Sequence, residues 1–280
     1  MTDATPAADE LFSASRVEPL GTYLRSLWQR RDYIIQAPLN ELRVEQANTV
    51  LGNVWLILNP ALQVGVYFLV FGLIIDARRG VDDYIVFLTI GVFTFFFSQR
   101  VILKCAGSIQ QSVGLIRAMR FPRAVLPLGT IVGGVIAFVP AFGVMLVVTL
   151  SYGNLPTLRW LTLPGIFAIQ VIFTAGAGFL VARMNHLYGD LENTLPFVFR
   201  LFFYLSGVLY SVDRYVEDET FRRLFAFNPF YDYLSMWRWA LLDIETSSTV
   251  WIGGTVWAVV AIVGGFSVFR AAEGNYGRAS

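Results

Sequence analysis

Apolar residues in this chain arrive in blocks, separated by short polar connections. The blocks lie at 50–75, 84–106, 125–150, 162–183, 195–212 and 249–269. Each approaches or exceeds the ~20 residues that a helix needs to cross ~30 Å of hydrocarbon, the fifth being the shortest. None of the six contains an Asp or Glu, and among their few polar residues are Gln63, Gln99, Arg100, Lys104, Gln170 and Arg200. Arg100 and Lys104 sit near a span end, where a long side chain can snorkel to the interface. Arg200 lies deeper, where a cation costs ~3 kcal/mol. Either it faces protein or a wet cavity, or it too snorkels.

The flanking segments read differently. Residues 1–18 carry Asp3, Asp9, Glu10 and Glu18 and no apolar run, so they are expected to be a disordered tail rather than a signal peptide. In 19–49, Leu20, Leu24, Leu27, Trp28, Ile34 and Ile35 recur near helical spacing, with Arg25, Arg30 and Arg31 among them. This predicts an amphipathic helix lying in the membrane interface; the alternative is a soluble helix packing on its own loops. Pro38 predicts a break followed by a second short helix. The connection 213–248 holds Tyr215, Phe221, Phe225, Phe227, Phe230, Tyr231, Tyr233, Trp237 and Trp239 beside Asp213, Glu217, Asp218 and Glu219. Rings with polar tips collect at the membrane interface. Two short helices re-entering the outer leaflet around Asn228-Pro229 are expected, with a folded extracellular hairpin as the alternative. The predicted class is an all-α polytopic membrane protein: tail 1–18, interface-helix region 19–49, a six-span domain over 50–270, and a cytoplasmic tail 271–280.

Composition narrows the chemistry. Hydrophobic residues make up 56% and charged ones 15% of the 280, with mean hydropathy +0.59. A net charge of +1 offers no basic field to a nucleic acid. One cysteine, Cys105, excludes an intrachain disulfide, and one histidine, His186, excludes the paired-histidine zinc motif. Of 21 basic residues only Lys104 is a lysine, and it stands between Leu103 and Cys105. The phosphate-binding loop Gly-x-x-x-x-Gly-Lys-Ser/Thr is therefore absent. No cofactor is expected on this chain; if ATP drives it, ATP and Mg²⁺ sit on another subunit. Arginine in place of lysine also suggests a GC-rich coding genome. With an even span count both termini share a side. Arginines and Lys104 before the first span, around 100–123, at Arg183 and in the tail outnumber the arginines on the opposite connections nearly two to one. This asymmetry puts the termini in the cytoplasm.

Four stretches together resemble the permease subunits of ABC-2-type polysaccharide exporters, which move O-antigen, teichoic acid or galactan. The first is Leu51-Gly52-Asn53-Val54-Trp55 with Asn59-Pro60, running into Tyr67 to Gly72. The second is Phe121-Pro122-Arg123-Ala124-Val125-Leu126-Pro127. The third is Asp190-Leu191 followed by Phe202 to Tyr210, and the fourth is Asn228-Pro229 with Arg238-Trp239. One departure is Ser206-Gly207, where the family often has Ser-Pro. The resemblance covers residues 30–270. It implies a homodimer joined by two ABC ATPase subunits, exporting a glycan on an undecaprenyl-type lipid carrier among membrane lipids. It also implies an interface helix at 20–36, an ATPase-coupling helix at 107–120 and two gate helices at 213–245. Carried onto this sequence, coupling falls to Gln110, Arg117, Met119 and Arg120. The outer gate falls to Phe227, Asn228, Pro229, Phe230, Tyr231 and Trp237. A galactan-like polymer is the favoured cargo.

A hydrated glycan must slide through hydrocarbon. Aromatic rings stack on flat ring faces without fixing register, as they do on nucleobases. Trp55, Tyr67, Phe93, Phe96, Phe97, Phe199 and Phe203, with Arg200, are the expected substrate path; the alternative is that these rings face lipid or neighbouring helices. In 107–124, small and polar residues with Arg117, Arg120 and Arg123 suit a helix docked in a groove, or a loop whose arginines hold anionic lipid. Three rival classes are weaker. An ion-coupled transporter would place carboxylates mid-membrane. An enzyme would need paired catalytic groups, and Asp82-Asp83 lies in a short outer loop. A passive channel would be supported by charged rings, which the sequence lacks.

Overall fold

The computed structural model describes residues 19–47, 52–74, 81–119, 121–212, 218, 225 and 227–276; among these the chain is helical, with no strand. The expected tail 1–18, Arg120, most of the first expected gate helix and the last residues of the expected cytoplasmic tail lie outside the described residues. We number the helices α1 (Leu20–Gln29), α2 (Arg31–Ala47), α3 (Trp55–Tyr67), α4 (Tyr84–Gln111), α5 (Val113–Ala118), α6 (Val125–Ser151), α7 (Leu163–Leu187), α8 (Leu191–Leu205), α9 (Pro229–Leu242) and α10 (Ser248–Ala271). A wider π-type stretch, Phe68–Ile74, prolongs α3.

Five helices are long and apolar enough to cross a membrane: Ile57–Ile74, Tyr84–Gln111, Val125–Ser151, Leu158–Leu187 and Ser248–Ala271. Helix α4 is the hub, for 78% of its most apolar stretch is buried against 22% for α6 and for α10. The outer faces of those two, with Val139, Val147, Ile252 and Val263, are exposed and suit lipid. Helices α7 and α10 meet backbone to backbone: a methyl group on Gly176 would collide with the Ala261 carbonyl, and one on Gly265 with Gly176. Small residues four apart allow this approach, which dispersion and packing stabilise where no hydrophobic drive exists.

The first break of the amphipathic region falls at Arg30, not at Pro38, which lies inside α2. Tertiary packing explains the difference. Pro38 presses on α6 at Gly133, where an added Cβ would stand 2.7 Å from the proline Cβ. The contact outweighs the missing backbone hydrogen bond. Helix α1 buries Tyr23 and Leu27 against Ile109, Phe121, Phe179 and Phe269. Its other apolar residues, Leu20, Leu24 and Trp28, are exposed. Beside it, burial first and the Glu273 carboxylate second push the Tyr23 phenol up from its ordinary value.

The block expected to span at 195–212 is a 15-residue helix, α8, which at 1.5 Å per residue reaches roughly 22 Å. It ends at Ser206-Gly207, where Gly207 takes φ +64°. A side chain there would also stand 2.7 Å from Val212 Cγ2. The chain continues without helical bonds, yet Ser206, Val208 and Leu209 are buried. Irregular backbone at membrane depth persists only where protein satisfies it. Here Arg238 does so: Nη1 donates to the Gly207 carbonyl and Nη2 to that of Val208, both at 2.9 Å, with a longer bond from Nη2 to Phe87 O at 3.4 Å. Tyr84 Oη donates to Leu209 O at 2.7 Å. The guanidinium lies 3.3 Å from the centre of the Phe87 ring. Arg238 therefore belongs to the buried interior, not to the loop cations of the charge asymmetry, and removing it from that comparison widens the asymmetry.

Helix α9 is a half-helix. Asn228 caps it by accepting from Phe230 N at 3.0 Å, with Pro229 at the first position. The Asn228 amide also donates to Ser206 Oγ at 2.9 Å. The same Asn-Pro pair thus starts α9 and ties it to the end of α8. Phe230 sits mid-bundle against Phe95 and Phe173, whereas Asp243, just past the other end, pairs with Arg159 in the α6–α7 connection. A polar tie holds α4, α7 and α9 together. Gln170 donates to Thr94 O and Ser98 Oγ, both at 2.9 Å, and accepts from Trp237 Nε1 at 2.7 Å. Asp232 is also buried in α9, and neither carboxylate oxygen has a hydrogen-bond partner among the described residues.

Three substitutions test this packing, read from thermal unfolding in detergent. Arg238→Ala leaves two buried carbonyls unpaired and should cost about 2–5 kcal/mol. Gly91→Ala places a Cβ 2.7 Å from Arg238 Nη2 and 2.9 Å from Val208 O and should cost about 1–3 kcal/mol; wild-type stability in both variants would show that the clamp carries nothing. Asp232→Asn should be neutral or stabilising, because a buried carboxylate without partners is unfavourable. A loss above ~1 kcal/mol would show that the carboxylate is bonded in the assembled protein.

Candidate functional site

The aromatic residues expected along the path divide between two places. Trp55, Phe93, Phe96 and Phe97 gather on one cleft of about 550 Å³ between α3, α4 and α6, together with Asn59, Gln63 and Arg100. Helix geometry explains how α4 serves several partners at once. Consecutive residues point about 100° apart, so Phe95, Phe96 and Phe97 face three directions. Phe95 turns to α8 and α9, meeting Phe203 at 5.3 Å and Phe230 at 5.1 Å. Phe97 turns to α6 and α7, with Phe138 and Phe167 each at 5.1 Å. Phe96 stays half-buried at the cleft, with the Arg100 guanidinium 5.9 Å from its ring centre.

The second group is packed inside the protomer. Phe199 and Phe203 are buried. Phe203 stacks on Phe96 at 5.5 Å and meets Tyr67 at 5.2 Å. Phe199 lies between Phe95 and Phe230. These rings back the cleft wall and are not its lining. Arg200 is exposed, 5.7 Å from the Phe197 ring centre. On the same helix Phe197, Leu201 and Tyr204 are exposed.

The expected coupling segment splits in two. Helix α4 continues to Gln111, and only α5 is a separate short helix. Gln110 is engaged with α7: its Nε2 donates to Asn185 O at 3.1 Å, and Asn185 Nδ2 donates back to Gln110 Oε1 at 3.0 Å. Asn185, wholly buried, also donates to Ala106 O and accepts from Glu192 N at 2.9 Å, which satisfies the start of α8. One asparagine thus joins three helices. Arg117 and Met119 are exposed, as a docking surface requires.

The expected gate residues also separate. Phe230 and Trp237 are buried; Asn228, Pro229 and Tyr231 are half-buried, and Phe227 is 72% exposed. Sequence reasoning missed Asn185 and Asp232. A lone Asn at a helix end and an acid in a segment read as an outer loop carry no local signal of burial. Gln170 was visible only as a polar residue within a span.

No family model matches the chain. It is 30% identical over 207 residues to the O-antigen export system permease protein RfbA of Myxococcus xanthus, covering 74% of this chain and 78% of that one. A protein of the same designation from Klebsiella pneumoniae is 28% identical over 244 residues, covering 85% and 91%. The polysialic acid transport protein KpsM of Escherichia coli is 22% identical over 179 residues, covering 62% and 68%. A helical bundle with five membrane-length helices and an Asn-Pro-capped half-helix, aligned over most of its length with export permeases, identifies the chain: it belongs to the ABC-2-type permeases of polysaccharide export.

Proposed function

We propose that the chain is the membrane-spanning subunit of an ATP-driven exporter that moves a lipid-linked surface polysaccharide, galactan-like in preference, across the cytoplasmic membrane. The observation that carries this reading is the cleft where Trp55, Phe93, Phe96 and Phe97 converge. Of these rings Trp55 and Phe96 are half-buried and keep part of a face open, while Phe93 and Phe97 are buried behind them; open ring faces suit the C–H faces of sugars and set no register, so a polymer can slide. Asn59 and Gln63 supply amide groups for hydroxyls there. Two copies of the chain would work with two ABC ATPase subunits, which hold ATP and Mg²⁺, and the glycan would ride on an undecaprenyl-type carrier. Basic residues concentrated near Arg30, Arg117 and Arg123 support cytoplasmic termini. The exposed Leu20, Leu24 and Trp28 of α1 support its seat in the interface. Phe227 and the exposed face of α8, with Phe197, Leu201 and Tyr204, are surfaces on which a second copy could pack near the gate.

Asp232 bears on the rival reading. It puts a carboxylate inside the bundle, as an ion-coupled transporter requires. Yet it is wholly buried against α10 near Gly254, and it lines neither the cleft nor the other cavity described below. Among the described residues it opens to neither cavity, which favours export driven by a separate ATPase.

The purified chain, reconstituted with its co-encoded ATPase, should show ATP turnover stimulated by lipid-linked glycan. Trp55→Ala with Phe96→Ala should reduce that stimulation by roughly tenfold, since a base–aromatic stack is worth ~1–3 kcal/mol. Undiminished stimulation would remove the cleft from the path. Coupling divides into two expected phenotypes. Arg117→Ala with Arg120→Ala should weaken ATPase association about tenfold and more at high salt. Asn185→Ala should leave association intact but abolish stimulation, because the joint between α4, α7 and α8 is lost. Pull-down and turnover measured on one preparation distinguish them, and equal behaviour of the two variants would refute this division.

A further inference from the structure

We propose that a second cavity, where α4 begins and α9 ends, binds neutral sugar residues of the glycan. The proposal rests on the exporter reading and adds a site on the opposite side of the bundle from α1. The cavity measures about 370 Å³, within the range of small-molecule sites. Four separate stretches of chain meet around it: the start of α4, the α6–α7 connection, the segment after α8, and α9 with its following loop.

Its chemistry excludes most ligands. Asp82, Asp83 and Glu245 border it and would repel an anion. Arg238 also borders it, and among the described residues no group of three acidic, His or Cys side chains is placed to hold a metal ion. A neutral molecule rich in hydroxyls fits what remains. Asp82 and Glu245 are exposed acceptors. Ser235 can donate and accept. Asn154 donates to Asp83 Oδ2 at 2.7 Å, which orients its carbonyl oxygen as a further acceptor. Tyr231, half-buried, adds a ring face.

Arg238 gives the independent sign of a ligand. It is 6% exposed, it lines the cavity, and among the described residues its Nε–H has no hydrogen-bond partner although both Nη atoms are engaged. An unpaired buried N–H of a cation is unfavourable, and a sugar hydroxyl would satisfy it. A glycan segment that has crossed the membrane would be held here by several weak polar contacts, which opposes its return.

The test uses the chain together with its ATPase in lipid nanodiscs, with diazirine-bearing digalactoside, dimannoside and diglucoside as probes. Labelling should fall on peptides within 231–246 and be displaced by the matching unlabelled disaccharide. Asp82→Asn with Glu245→Gln, both at exposed positions, should lower labelling about tenfold, and Ser235→Trp should abolish it by filling the space. Thermal unfolding checks the folding of the tryptophan variant; the carboxamide pair keeps the test valid if that variant fails. No labelling there by any of the three probes, or labelling indifferent to the carboxamide pair, overturns the site. Glycan-stimulated ATP turnover is read on the same preparation. Stimulation without labelling removes the site and leaves the exporter standing; labelling without stimulation keeps the site and removes the exporter.

Discussion

The structure depends on how one stretch of non-helical backbone is satisfied inside the bundle. Helix α8 stops before it could cross a bilayer, and the residues after it are buried without helical hydrogen bonds. In hydrocarbon no water can complete those carbonyls. Arg238 completes two of them with one side chain, which a planar fork of donors can do and a lysine ammonium does less well. Among the described residues no carboxylate is bonded to this guanidinium. Carbonyl dipoles and the face of Phe87 take that place. Gly91 is the complementary condition, since any side chain there would occupy the arginine's position.

That clamp fixes the path of α9, and α9 in turn organises the aromatic interior. With Arg238 held at one end and Asn228 tied to Ser206 at the other, the helix has no freedom to slide. Phe230 is then seated among Phe95, Phe199 and Phe202, and Trp237 is bonded to Gln170. Edge-to-face and offset contacts of this kind add about 0.5–1.5 kcal/mol per pair beyond area burial. The α8 and α9 rings thereby form a rigid backing for α4, and Phe96 is left at the cleft with its neighbour Phe97 packed behind. The proposed glycan path depends on this division between rings that pack and rings that remain open.

Much of this was legible in the sequence, because apolar blocks of membrane length have few other uses. The Asn228-Pro229 pair could be read as a helix start because capping is a local property. The short fifth block carried its own hint in Ser206-Gly207. What escaped were relations between distant residues. Pro38 reads as a breaker on propensity, but its seat on Gly133 is a tertiary contact. Arg238 reads as a loop cation and Asp232 as a loop acid, since hydropathy averages over the aromatics around them and cannot see that the loop folds back into the bundle. Gln110 reads as a docking side chain, yet its partner Asn185 lies 75 positions away.

The distribution of charge separates this bundle from one built for ions. Among the described residues, carboxylates line the cavity at the end where α4 begins and not the aromatic cleft, and the acid enclosed in α9 is buried against α10. The aromatic cleft has a single cation, Arg100, beside the ring of Phe96. An ion crossing such a cleft would meet no alternating partners and would lose its hydration without replacement. A neutral polymer on the proposed path would lose less, because each sugar would exchange water for a ring face and a nearby amide. Directed movement must then come from outside the cleft. The joint at Asn185, linking α4 and α7 to the foot of α8, is where motion of the exposed α5 segment would first reach the helix that ends at the Arg238 clamp.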